Sequence, residues 1–327
     1  MSKLKPLEIS WQLWRSSRLV TVFLIATWAA LQAFALMAST DIARQADACA
    51  SPAPGQCSSP TAAESLSSNI DSANWILIGQ MVVPVLVGVF WGAPLVAREY
   101  ESHTYLFAWT QDVSPLRWTT QRLGVLAFFS ICLAVVSGLS SSALAEGIHK
   151  ATTKSMFTPS LFESAVGVQI AYYLLALFLG FAAGSYIRRV VPAIGAALFA
   201  FLVFRVALVI MRLKWLPAST QVTPFTVNGE YAKVSLPGDN SIQLDVHYAN
   251  STGTPVQFPN LECRDAPSAP EWEQCIRSHG VEKLVTSYQP GSHVLPVQII
   301  EIAACSILAA FVALLAFRRV RQAVAVN

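Results

Sequence analysis

Six long apolar runs, separated by polar segments of very unequal length, set the pattern of this chain. They cover roughly residues 19–39, 75–96, 122–145, 164–187, 191–212 and 294–317. A helix crosses a hydrocarbon core with about 20 apolar residues, so each run predicts one membrane span. Residues 5–17, KPLEISWQLWRSS, set Trp11, Leu13 and Trp14 among Lys5, Glu8 and Arg15. That mixture predicts a helix lying in the headgroup zone ahead of the first span. Residues 40–73, rich in Ser, Ala and Pro, read as a loop. After the second run, residues 97–112 form a dense polar and aromatic segment with Leu106, Trp109 and Val113 at helical spacing, and Ser114-Pro115 ends it.

Only Arg188-Arg189 separates the fourth run from the fifth, which predicts a tight helical hairpin. Gly180, Ala183, Gly184, Gly195 and Ala196 are the small positions on it. Small residues let helix backbones approach closely in lipid, and the third run ends in another such stretch, SGLSSSALAEG. The second run carries Pro84, Gly88 and Gly92, residues that can loosen or kink a helix, though Pro84 reads better as the ordinary proline usage of membrane helices.

Residues 213–293 are the one large polar insert. Val222–Val227 and Tyr231–Leu236 flank Asn228-Gly229-Glu230, a hairpin turn signal. Ile242, Leu244 and Val246 alternate with Gln243, Asp245 and His247, a half-buried strand. A helix is predicted from Pro270, with Trp272, Cys275, Ile276, Val281 and Leu284 as its apolar set. The insert therefore reads as a small α+β unit. Asn250-Ser251-Thr252 is a glycosylation sequon.

Composition agrees with a membrane protein. Hydrophobic residues make up 54% of the 327, and charged residues only 13%, against about 25% in soluble domains. The net charge of +3 sits mostly beside the apolar runs, which argues for membrane orientation and against nucleic-acid binding. With the N-terminus inside, inner segments hold Lys3, Lys5, Arg15, Arg18, Arg98, Arg117, Arg122, Arg188, Arg189, Arg318, Arg319 and Arg321. Short outer loops and flanks hold Arg44, Lys150, Lys154, Arg212 and Lys214. Twelve against five predicts both termini inside and residues 213–293 outside. The first run is read as an uncleaved span, since it is longer than a signal h-region and five more runs follow.

Cys49, Cys57, Cys263 and Cys275 all fall in outer segments, where disulfides form. Cys49–Cys57 and Cys263–Cys275 would close the shortest loops; four cysteines allow three pairings, and the sequence does not rule out a bridge between the two outer regions. A metal site is the weaker reading, because no CxxC or His-rich spacing is present. There is no GxxxxGK[ST], no HExxH and no GxSxG, and the five histidines are scattered.

Two charges lie inside runs. Arg205 stands seven residues before the end of the fifth, and Glu301 seven after the start of the sixth. At 1.5 Å per residue both are about 10 Å deep. Equal depth and opposite sign predict that they pair, within one chain or across a dimer, with Gln298 one turn away completing the network. The pair either fixes the last two helices or lies on a transport route.

The stretch Gly92-Ala-Pro-Leu-Val-Ala-Arg-Glu-Tyr-Glu-Ser-His-Thr-Tyr-Leu-Phe-Ala-Trp-Thr-Gln111 resembles the first cytoplasmic segment of type-two ABC exporter permeases, in the form common in actinobacteria. WQLWR at 11–15 resembles the family's N-terminal elbow helix, and Tyr288-Gln289-Pro290 with Gln298 and Glu301 resembles its C-terminal pattern. The resemblance implies that residues 97–112 are a coupling helix docking on a separate ATPase, with Arg98, Glu99, Tyr100, Glu101 and Trp109 as the contact set. It also implies that ATP and Mg bind that partner, with no cofactor on this chain, and that two permease chains pair, most simply as a homodimer.

The expected protein is thus an all-α polytopic plasma-membrane protein with six spans. Residues 1–212 hold the elbow and spans one to five, 213–293 an extracellular α+β cap, and 294–327 the sixth span and a basic tail. Its expected role is the permease subunit of an ATP-driven exporter. The alternative is a membrane receptor or accessory protein whose cap binds a ligand or partner, a role in which the segment 97–112 has no purpose. An intramembrane enzyme is disfavoured by the missing catalytic sets.

Overall fold

The computed structural model describes residues 6–48, 60–101, 115–152, 154–225, 236, 238, 240–259, 262–264 and 268–325. Within these, six helical stretches are long and apolar enough to cross a bilayer. The chain divides into two compact units, residues 1–154, 158–210 and 298–327 in the first, and 155–157 with 211–297 in the second.

The first unit is helical. Helix α1 runs Pro6–Ala48 without a break. The expected headgroup helix and first span are therefore one rod, since no Pro or Gly lies between Leu7 and Ala48 to interrupt it. Helix α2, Pro60–Val87, starts at a proline, well suited to the first helical turn. It begins inside the stretch read as loop, where Ala62, Ala63 and Glu64 favour helix although the stretch is too polar to read as a span. A π-helical turn, Gly88–Gly92, then passes directly into α3, Pro94–Glu101. Helix α4 spans Pro115–Thr152, again with proline at its start. After the short α5, Pro159–Phe162, come α6, Val166–Ile187, and α7, Val190–Arg212. The last helix, α9, is Val294–Ala325.

A close backbone contact joins the α2–α3 rod to α6. Gly88-x3-Gly92 on one meets Gly180-x3-Gly184 on the other, small-xxx-small on both partners. A Cβ at Gly88 would stand 2.5 Å from the Ala176 carbonyl oxygen, and one at Gly92 2.5 Å from that of Leu177. On the facing helix, a Cβ at Gly180 or Gly184 would run into the carbonyl oxygens of Gly88 and Ala93. The small residues at 180 and 184 thus serve the rod rather than the hairpin with α7, and Gly195 on α7 has open space beside it. Around this contact a buried cluster joins Val83, Val87, Trp91, Leu95 and Tyr100 to Leu126, Tyr173, Leu177 and Phe181.

Serines do more than permit close approach. Ser137 on α4 accepts from Trp28 Nε1 at 2.7 Å and hydrogen-bonds the Tyr173 hydroxyl at 3.0 Å, joining α1, α4 and α6. Ser140 donates to Gln32 Oε1, and Ser141 donates to the Ser164 carbonyl at 3.0 Å. Each such bond adds only about 0.6 kcal/mol in a bilayer; those of Trp28 and Gln32 hold α1 against α4.

The second unit is α+β. Strands β1 (Ser219–Pro224), β2 (Ile242–Ala249), β3 (Pro255–Val256) and β4 (Lys283–Gln289) form an antiparallel sheet in the order β1-β4-β2-β3. Helix α8, Ala269–Ser278, crosses between β3 and β4 in sequence. The predicted helix therefore ends before Val281 and Leu284. Val281 follows it, and Leu284 lies in β4, the strand that pairs with both β1 and β2. Residues 226–235, with the predicted hairpin turn, lie outside the described residues; β1 pairs with β4. Gln289 is buried and staples the ends of this unit. Its amide nitrogen donates to the Leu213 and Leu216 carbonyls at 3.0 and 2.8 Å, and its oxygen faces His293 Nδ1 at 2.7 Å. Phe225, Tyr248, Phe258 and Trp272 pack beside the disulfide Cys263–Cys275. Cys49 and Cys57 lie outside the described residues. The Asn250 side chain is occupied in a turn, accepting from the Thr252 and Thr254 amides at 3.1 and 2.9 Å.

Candidate functional site

The polar end of α3 is built into its own unit. Glu99 pairs with Arg122 on α4 at 3.3 Å, and the Arg122 guanidinium lies 3.9 Å from the Trp118 ring centroid. Tyr100 is buried, with the Arg188 guanidinium 4.8 Å over its ring. Glu101 Oε2 accepts from the Val190 backbone N–H at 3.0 Å, so it caps the first turn of α7. The α6–α7 connection is shaped for this. Arg188 takes a left-handed φ of 59° and donates its N–H to the Gly184 carbonyl, which ends α6 and turns the chain straight into α7. Of the predicted contact set, then, Glu99, Tyr100 and Glu101 hold α3 to α4, to the Arg188 turn and to α7. Arg98 is exposed, and Trp109 lies outside the described residues. The spacing of charges on α3 was visible in sequence; the use of Glu99 and Glu101 within the chain, on Arg122 and the Val190 N–H, was not. Glu101→Ala is expected to cost about 1 kcal/mol, the size of a lost N-cap, read as a lower retention of folded chain on heating in detergent.

A second polar site lies within the spans. Within the chain, Arg205 and Glu301 take other partners than each other. Arg205 on α7 makes its ion pair with Glu163, and Glu301 on α9 accepts a hydrogen bond from the Tyr172 hydroxyl. Tyr172 links the two, because the Arg205 guanidinium also lies 5.5 Å from its ring centroid. Both carboxylates are fully buried, Glu163 at 1% exposure and Glu301 at 0%. Gln298 joins as expected in place but not in partner, donating to the Phe162 carbonyl at 3.2 Å. Gln169 donates to the Glu163 carbonyl at 2.8 Å. Sequence reasoning missed Glu163 because it fell in a stretch assigned to an outer segment.

Arg205 has another task. Pro84 in α2 lacks the N–H that would pair with the carbonyl four residues back, and its ring crowds that turn. Arg205 Nη1 donates to the neighbouring Met81 carbonyl at 2.6 Å. The weakened turn of α2 is thus held from α7. Helix α7 is therefore fastened to the α2–α3 rod twice, by Arg205 to Met81 and by Glu101 to Val190, with Ala193 packed against Ala93 and Ala97 between.

The family described as ABC-2 membrane transporter related matches residues 19–212, which is more than half of the chain. No curated protein and no solved structure matches. The matched span runs from within α1 to the end of α7 and holds the glycine contact, the α3 anchor and Arg205. This chain belongs to the ABC-2 membrane transporter related family and is a multi-pass membrane protein of permease type.

Proposed function

We propose that the chain is the permease subunit of an ATP-driven exporter, and that residues 97–112 dock on a separate ATPase which binds ATP and Mg. The observation that carries this reading is the fastening of α3. It is joined to α4 by Glu99–Arg122, to α7 by Glu101, and continues through a π turn into a rod locked to α6 by glycine contact. A segment so anchored does not flex independently. A push on α3 moves the rod, α6 and α7 together, and packed interfaces respond by switching between arrangements rather than by bending. ATP-driven closure of the partner then shifts the population between two arrangements of the spans. π turns are frequent at functional sites, and this one lies where the rod meets α6.

The membrane frame of this reading has both termini inside and residues 213–293 outside, following the basic residues. Exposed apolar side chains on α7 and α9, among them Phe199 at 70% and Ile307 at 71%, then face lipid or a second copy of the chain. A homodimer is the simplest assembly.

The test is purification of the tagged chain in mild detergent, identification of what accompanies it, and an ATP hydrolysis assay. A stoichiometric ATPase is expected. Arg98→Glu is the informative variant, because that side chain is exposed, whereas changes at Glu99, Tyr100 or Glu101 would also loosen α3. It should release the ATPase and leave the fold intact. A chain that purifies alone and without hydrolysis, under conditions that preserve other such complexes, would overturn the reading.

A further inference from the structure

In the second unit, four side chains converge at the end of α8. Cys275 and His279 are one helical turn apart, and the loop before α8 brings Cys263 and Glu262 to them. The Cys263 and Cys275 sulfurs and an imidazole nitrogen of His279 all lie within 4.8 Å of one another. His279 Nδ1 is 3.9 Å from each sulfur. Its Nε2 lies 2.8 Å from Glu262 Oε2.

A disulfide that served only as a staple would need neither His279 nor Glu262. Their placement suits a metal ligand: Nδ1 lies 3.9 Å from each sulfur, and Nε2 is held by a carboxylate. The spacing also fits. With zinc–sulfur and zinc–nitrogen bonds of ordinary length, a tetrahedral ion sets sulfur and nitrogen about 3.6 Å apart, close to the 3.9 Å found. In the oxidised form Nδ1 faces the Cys275 carbonyl at 2.8 Å instead.

We propose that Cys263, Cys275 and His279 form a zinc-class metal site that the disulfide closes and reduction opens. A dithiol reductant gives two electrons and two protons to the disulfide, yielding two thiols and its own cyclic disulfide. A divalent ion then displaces both thiol protons. The imidazole binds through Nδ1 and carries its proton on Nε2, where Glu262 accepts the hydrogen bond. Water completes four-fold coordination, and His279 gives up its bond to the Cys275 carbonyl.

The experiment uses the full chain in detergent with Cys49, Cys57, Cys132 and Cys305 replaced by serine. Zinc is titrated against a chromophoric chelator before and after dithiol reduction and removal of the reductant, and cobalt is used in parallel for its thiolate absorption. One equivalent is expected in the reduced chain and none in the oxidised chain. His279→Ala should remove most of the affinity. Glu262→Gln keeps all three ligands on an exposed position and should weaken binding about tenfold. Absence of stoichiometric binding after reduction would overturn the proposal, and so would binding that neither variant weakens.

Discussion

Gly180→Ala is expected to leave little folded chain after mild heating in detergent, although it adds a single methyl group. The new Cβ would meet the Gly88 carbonyl oxygen and the Ala93 nitrogen, both backbone atoms of a facing helix. Neither can rotate aside as a side-chain tip would. Overpacking ordinarily costs about 1–3 kcal/mol, and with backbone on both sides the cost belongs at or above the top of that range. Separation of the rod from α6 would follow. Gly195→Ala is the matched control, because nothing lies within 4 Å of its Cβ position. Equal tolerance of the two alanines would contradict the glycine contact.

Arg205→Leu is the second large effect. It strips the buried Glu163 carboxylate of its Arg205 partner and removes the donor to Met81 beside Pro84. Breaking a buried ion pair on one side costs about 3–5 kcal/mol, whereas replacing both partners with apolar residues is often nearly neutral. The double variant Glu163→Leu with Arg205→Leu should therefore recover much of the stability that Arg205→Leu loses. The part it does not recover measures the Met81 contact. Strictly additive losses would show that the two residues do not act as a pair.

Hydropathy made the spans legible almost to the residue where helix ends coincide with apolar ends. The predicted runs 164–187 and 191–212 became Val166–Ile187 and Val190–Arg212. It failed where a helix continues through polar sequence, as α2 does from Pro60 through Glu64 and Asp71. The sheet was half legible. The alternation at Ile242–Val246 marked β2, but the residues Val281 and Leu284 fitted a helical period equally well and hid β4.

For the polar site, one-dimensional position gave depth and nothing else. Arg205 and Glu301 stand equally far into their spans, yet rotation about each helix axis decides which groups meet. It turns Arg205 to Glu163 and Glu301 to Tyr172. The same limit applies on α3. The sequence motif marked its charged residues as a set, while packing divides them: half-buried Glu99 pairs with Arg122, exposed Glu101 accepts from the Val190 N–H, and Arg98 is exposed. Cys263–Cys275 was one of three pairings open to the sequence, and it is the one present among the described residues.

The central claim is that α3 is where force enters. A photoreactive residue placed at position 98 tests it most directly, in native membranes, with a second probe at the exposed position 295 as a control. The account predicts an adduct between position 98 and an ATP-hydrolysing chain, lost when that chain is absent, with no such adduct from 295. Labelling of lipid alone from position 98, or the same ATPase adduct from 295, would contradict it.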